Sequence, residues 1–238
     1  MINRSPLDVL VLVPARKGSK RLPHKNRLQL GNASLLKRTV GVIKDIGLLE
    51  NTIVSTDDDV LAREAIELGL PLPEMRPSHL AQDNSATIEV FRYVLSDLAK
   101  RYGWHPKFVL LLQLTSPFRD PKNIKLAIDT ILEKKYIPAI VSGKISEIKS
   151  DKTIGCAKDY ILKTDLDLKE ELVDLDGNFY VGRVPKVLSG NSFSPTGTKV
   201  ILSSEQESID IDTLDDFKLA HDIWKSSYQE HRGKNDFF

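Results

Sequence analysis

Short apolar runs recur along the chain at residues 9–13, 52–55, 108–112, 139–142 and 198–202, each rich in Val, Ile or Leu. Runs of this length, bounded by polar residues, predict buried strands. Between them, residues 35–46, 59–68, 87–101 and 123–134 place apolar side chains three or four apart with mostly charged spacers, which predicts amphipathic helices. The alternation of strand and helix predicts an α/β fold with a mostly parallel sheet and helices on both faces. Such a sheet binds ligands just beyond the C-terminal ends of its strands.

The pattern weakens over residues 144–186, where charged residues alternate with short β-like pieces at 160–162 and 178–181. A stretch of about forty residues with this many apolar segments is costly to leave unpacked, so it reads as an inserted subdomain offering a dimer contact. The main domain is then 1–143 with 187–228. A closing helix follows the last strand, with Leu214, Phe217, Leu219 or Ala220, Ile223 and Trp224 on one stripe and an Asp at its start; residues 229–238 read as a frayed tail.

Composition narrows the function. With 34 basic and 33 acidic residues the formal net charge is +1, so no whole-chain field draws the protein to nucleic acid or an anionic membrane. Any anion site must be local. No segment approaches the roughly 18 apolar residues of a membrane span. The apolar run near the start is broken by Asp8 and reads as a strand, not a leader. Cys156 is the single cysteine, which excludes an internal disulfide; it reads as structural filler, and cytoplasm is the simplest compartment.

Local chemistry concentrates in four places. The first strand runs into PARKGSKRLPHKN, residues 14–26, where Arg16, Lys17, Lys20, Arg21 and Lys25 surround Gly18 and Ser19. Several cations beside small residues that let backbone amides approach are what a polyphosphate needs, although the spacing is neither that of a Walker loop nor that of a dinucleotide fingerprint. The second place is 56–59, TDDD, which reads first as a helix cap. In the third, LLQLTSP, Gln113, Thr115 and Ser116 stand at a strand end, either facing a ligand or capping the next helix. The fourth is SIDIDT, residues 208–213. There Asp210 and Asp212 alternate with isoleucines on one side of an extended segment and suit Mg²⁺ shared with substrate phosphates, with Asp212 alternatively a helix cap.

Taken in order, PARKGSKRLPHKN, VSTDDD, LLQLTSP and SIDIDT resemble the motifs of the CMP-sialic acid synthetases, the acylneuraminate cytidylyltransferases, over most of the chain. The RLPxK portion is shared with the CMP-Kdo synthetases. The resemblance implies a Rossmann-like α/β domain with a small dimerisation subdomain, a homodimer, and transfer of CMP from CTP to a nonulosonic acid with release of pyrophosphate. It implies that Ala15, Arg16, Ser19, Lys20, Lys25, Asn26, Arg76, Ser85, Thr87 and Lys152 bind CTP, and that Gln113, Tyr180 and Phe193 face an acidic sugar. It further implies that Asp210 and Asp212 hold Mg²⁺, with Arg16, Lys20, Lys25 and Asp212 in catalytic roles.

The chain departs from the family on the sugar side. An acidic KEELVDLDGNFY stands where an Arg-Gln pair and an RPNGA-like stretch are common, and Phe193 is followed by Ser194 instead of a second aromatic. These departures keep other acceptors in view, namely Kdo, legionaminic acid and pseudaminic acid. They also keep in view a protein of another class, a nucleotide-binding regulator that has lost transfer.

Overall fold

The structure, a computed structural model, describes residues 8–71, 74–146, 153–157, 161–163 and 170–235. Eleven strands and six helices follow in order: β1 Val9–Pro14, β2 Gln29–Leu30, β3 Ala33–Ser34, α1 Leu35–Asp45, β4 Thr52–Thr56, α2 Asp59–Glu67, β5 Glu74–Met75, α3 Thr87–Tyr102, β6 Phe108–Leu111 and α4 Pro121–Glu133. There follow β7 Ala139–Ser146, β8 Thr153–Ala157, β9 Ile161–Lys163, β10 Glu170–Arg183, α5 Val184–Ser189, β11 Lys199–Leu202 and α6 Leu214–Asn235. Every strand and helix expected from the apolar pattern is present, within two residues at each end apart from β7, which runs on past 142. No helix among the described residues is long and apolar enough to cross a membrane.

Nine strands form one sheet in the order β5-β4-β1-β6-β10-β7-β11-β9, with β8 paired to β10. All pairs are parallel except those made by β10, which runs antiparallel to β6, β7 and β8. The alternation along β1 divides the core. Val9, Val11 and Val13 pack under α1, α2, α4 and α6, while Leu10 and Leu12 pack under α3 and α5. Helices thus cover both faces, as expected of buried parallel strands.

The segment read as an appendage shares this sheet. Tyr180 to Arg183 pair with β6 in its middle, while the N-terminal half of β10 pairs with β7 and β8. Across β7, residues Leu175 and Tyr180 of β10 oppose Gly143 and Val141, so four β10 residues face Ser142 alone. Gly177 makes this bulge feasible with φ of 79°, in the left-handed region, and Asp176 closes it by accepting from Ser142 Oγ at 2.5 Å and from Asn178 N at 3.0 Å.

Two expectations for the C-terminal helix change. Leu214 and Leu219 are more than half exposed, while Ala220 is buried and Phe217, Ile223 and Trp224 pack on the core. The buried stripe is therefore narrower than the apolar spacing suggested. The helix also continues to Asn235, past the point where fraying was expected.

Candidate active site

The parallel strands β4, β1 and β6 end on the same edge, and the basic loop leaves from there. The loop is pinned from below by β4 and the acidic residues that follow it. Ala15 N donates to Ser55 O at 2.9 Å, Thr56 Oγ1 to Ala15 O at 2.5 Å, and Lys17 N to Asp57 Oδ1 at 2.7 Å. Asn26 is buried and donates to Arg16 O at 2.9 Å, closing the loop on itself. A side chain at Gly18 would meet no protein atom within 4 Å, so packing within the protein does not require a glycine there.

The cap reading of TDDD holds, with an addition. Asp58 accepts from Val60 N at 2.9 Å at the start of α2, and its two oxygens also receive Arg27 Nε and Nη2, each at 2.6 Å. Burial pushes its carboxyl up, but the Arg27 and Val60 hydrogen bonds outweigh that and hold it below the usual range. A folded-state pKa below the unfolded one gives stability that is complete above the unfolded value, about 3.9, and lost as pH falls through the folded value. Asp58→Asn is expected to lower the melting temperature by about 2–6 °C at neutral pH, and by less as acid is added, in a calorimetric pH series.

Four loop cations are divided between two carboxylates from distant segments. Asp83, just before α3, meets Arg16 Nη1 and Lys20 Nζ, each at 2.7 Å. Asp212 meets Arg21 Nη2 at 2.5 Å and Lys25 Nζ at 2.6 Å. Beside them lies a polar pocket of about 200 Å³ lined by Arg16, Lys25, Asn26, Arg76, Ser85, Thr87 and Gln113, together with Pro14, Asp83, Val90, Leu114 and Thr115. Seven of the residues expected at a nucleotide or sugar thus line one pocket. Arg76 is buried and anchored to Ser55 O at 2.7 Å; burial lowers its pKa from the usual arginine value.

Asp210 and Asp212 flank Ile211, which is fully buried and donates its N–H to Thr115 O at 2.8 Å. That bond sets SIDIDT against the end of LLQLTSP, with the isoleucines buried in the core and the aspartates half-buried. Asp212 does not cap α6. Thr213 Oγ1 accepts from Asp216 N at 3.2 Å while Asp216 Oδ2 accepts from Thr213 N at 2.7 Å, a reciprocal cap that leaves Asp212 to the loop. Nor do Thr115 and Ser116 cap α4, since Asp120 accepts from Lys122 N at 2.8 Å with Pro121 in the first turn.

Asp210 Oδ1 is buried without a hydrogen-bond partner, and no group of three or more His, Cys, Asp or Glu side chains suited to a metal occurs among the described residues. Two carboxylates, one with an orphaned oxygen, suit an ion such as Mg²⁺ that keeps waters and shares phosphate oxygens. Asp210 also lines a second, larger cleft of about 1140 Å³ with Lys144, Asp174, Asp176, Ser203, Ser204, Ser208 and Asp216.

Behind the end of LLQLTSP lies the buried Arg119, which the sequence reading passed over inside the LLQLTSPFRD stretch. Its Nε donates to Asn178 O at 2.8 Å, Nη2 to Gln113 O, and Nη1 to Thr39 Oγ1 at 3.3 Å. Burial pulls its pKa down to about 9, with Asp210 and then Asp176 opposing the shift. Tyr180 lines neither cavity but, like Arg119, feels the charges of Asp176 and Asp210. Burial first, then Asp176 and Asp210, push its phenol up to about 12, so it stays neutral. Its ring packs edge-on to Phe193 at 6.3 Å, and Phe193 is buried against Phe91 at 5.4 Å. Phe193 lines neither cavity described above. Lys152 lies outside the described residues.

A polar pocket ringed by cations at the C-terminal edge of a parallel sheet, with paired carboxylates opposite, defines the class: a nucleotidyltransferase of α/β fold. The cytidylyltransferase family profile matches residues 10–181. The chain is 32% identical to the CMP-N,N'-diacetyllegionaminic acid synthase of Legionella pneumophila over 91% of its own length and 96% of that protein's. It is 28% identical to the N-acylneuraminate cytidylyltransferase of Escherichia coli O18:K1:H7 over 97% of its length, and spans about half, 54%, of that longer protein. In fold it is similar to a solved CMP:2-keto-3-deoxy-manno-octonic acid synthetase, with a TM-score of 0.68 at 12% identity, covering 92% of this chain and 99% of that one. The protein belongs to the cytidylyltransferase family.

Proposed function

We propose that the protein transfers CMP from CTP to the anomeric hydroxyl of a nonulosonic acid and releases pyrophosphate, acting as a cytoplasmic homodimer that uses Mg²⁺. One observation carries the reading: the cations of a single loop meet Asp212 beside a pocket lined by Asn26, Arg76, Ser85, Thr87 and Gln113. The small pocket takes the nucleotide, with its phosphates against Arg16, Lys20 and Lys25. Lys152 joins these CTP contacts. The larger cleft, lined by Asp210, takes the acceptor, which Gln113 on the wall of the small pocket and Tyr180 would contact. The segment 144–186, whose β10 belongs to the main sheet, supplies the contact that brings two copies together.

The reaction is an in-line displacement at the α-phosphate, so positioning and fixed charge supply most of the acceleration. Arg16, Lys20 and Lys25 hold the negative charge that builds on the phosphates. Asp210 and Asp212 would hold Mg²⁺, which when bound would supply Lewis-acid polarisation of the α-phosphate and lower the pKa of the attacking hydroxyl. Asp212, next to Lys25, is placed to receive the acceptor's proton directly or through water. Tyr180, neutral at working pH, orients the acceptor by hydrogen bonding and carries no proton away.

Because a relative 32% identical over 91% of this chain and 96% of its own length is named for N,N'-diacetyllegionaminic acid, that sugar heads the acceptor panel. Pyrophosphate release is measured with CTP and Mg²⁺ across N,N'-diacetyllegionaminic, N-acetylneuraminic, pseudaminic and Kdo acceptors. One nonulosonic acid is expected to exceed Kdo in kcat/KM by roughly a hundredfold or more. Preference for Kdo, or equal use of all four, contradicts the proposed acceptor class.

A further inference from the structure

Arg16 and Lys20, cast above as phosphate binders, are both already engaged by one carboxylate. Asp83 uses Oδ1 for Arg16 and Oδ2 for Lys20, each at 2.7 Å, and it lines the same pocket as Arg16 and Lys25. Two anionic oxygens bridging two cations reproduce what a phosphate offers. Asp83 itself stands on a prebuilt turn. Ser85 N donates to Gln82 O at 3.1 Å, Gln82 N to Ser85 Oγ at 3.2 Å, and Ser85 Oγ to His79 O at 3.1 Å. The Asp83 side chain is 40% exposed, so it leaves the cations by rotating outward without disturbing that turn.

Its partners keep it charged. The hydrogen bond from Lys20 comes first, and the charges of Lys20 and Arg16 reinforce it, so the carboxyl is held below the usual range despite some desolvation. A change of pH near neutrality therefore does not free the two cations; a competing anion does.

We propose that Asp83 is a further residue of the reaction cycle, an internal anion that yields Arg16 and Lys20 to the incoming triphosphate and reclaims them as pyrophosphate departs. The inference rests on the reading of the loop as the triphosphate site. No bond is made or broken by Asp83; two ion pairs exchange one anion for another. Asp212 bridges Arg21 and Lys25 in the same manner but is committed to the reacting centre, which leaves Asp83 as the carboxylate whose pairing serves entry and release.

The test is Asp83→Asn, which keeps the side-chain volume and removes the charge. Calorimetric titration with CTP and with inorganic pyrophosphate is expected to show both binding about 3- to 10-fold more tightly, the range set by two partly exposed ion pairs. In turnover with the preferred acceptor, the single-turnover rate is expected to match the wild type while steady-state kcat falls behind an initial burst, because pyrophosphate now leaves slowly. Unchanged or weaker pyrophosphate binding overturns the proposal, as does slower single-turnover transfer, which would place Asp83 on the bound nucleotide instead. Since pyrophosphate binding is read without any acceptor, failure of the acceptor panel leaves this result interpretable, and the reverse also holds.

Discussion

Asp212→Asn is expected to keep CTP binding at saturating Mg²⁺ and lose on the order of a thousandfold in kcat, the scale of removing a group that stabilises charge developing in the transition state. The carboxylate stands 2.6 Å from Lys25 Nζ and 2.5 Å from Arg21 Nη2, while its neighbour Asp210 holds a buried, orphaned oxygen. Asn keeps the shape but binds neither a metal nor a proton well. Its loss also frees Arg21 and Lys25, so nucleotide affinity should hold or rise while turnover collapses. That division between KM and kcat separates a reacting role from a loop support, which would weaken both together. Near-normal kcat at saturating Mg²⁺ would sink the assignment.

Arg119→Met is expected to cost about 3–5 kcal/mol of folding stability, as does breaking a buried ionic cluster by removing one member. The guanidinium is buried and hydrogen-bonds to carbonyls at Gln113 and Asn178 and to Thr39. It ties α1, the end of β6 and the β10 bulge into one unit, and it faces the charges of Asp176 and Asp210. Methionine fills the space but leaves three acceptors and two carboxylates uncompensated. Urea unfolding, with the slope m compared between variants, measures the loss. A loss below about 1 kcal/mol would mean that water or a shifted side chain replaces the clamp.

What the sequence made legible follows its local signals. The strands and helices were readable because buried parallel strands are continuously apolar and the helices between them carry a 3.6-residue stripe; the loop at 14–26 was readable because five cations follow a buried strand. What stayed hidden depends on long-range contact. Arg119 looks like an ordinary residue after Ser-Pro-Phe, and only the fold shows that β10 and β6 enclose it. Asp83 sits in a polar turn 67 residues from Arg16, so nothing nearby marks it as the partner of a phosphate loop. The antiparallel course of β10 was invisible because its charged N-terminal half reads as an excursion. The helix-cap alternative for Asp212 could be dropped only from the fold, in which Thr213 and Asp216 cap each other.

The central claim, cytidylyl transfer at the loop and the paired aspartates, is tested most directly by counting both products in one reaction. Protein, CTP, Mg²⁺ and the preferred nonulosonic acid are incubated, and pyrophosphate and CMP-sugar are quantified together, with UTP in a parallel reaction. One pyrophosphate per CMP-sugar, dependent on the acceptor and at least tenfold faster with CTP than with UTP, is the predicted result, tenfold being about 1.4 kcal/mol of discrimination. CTP bound without pyrophosphate release across the whole acceptor panel would contradict the account and leave a nucleotide-binding regulator in its place.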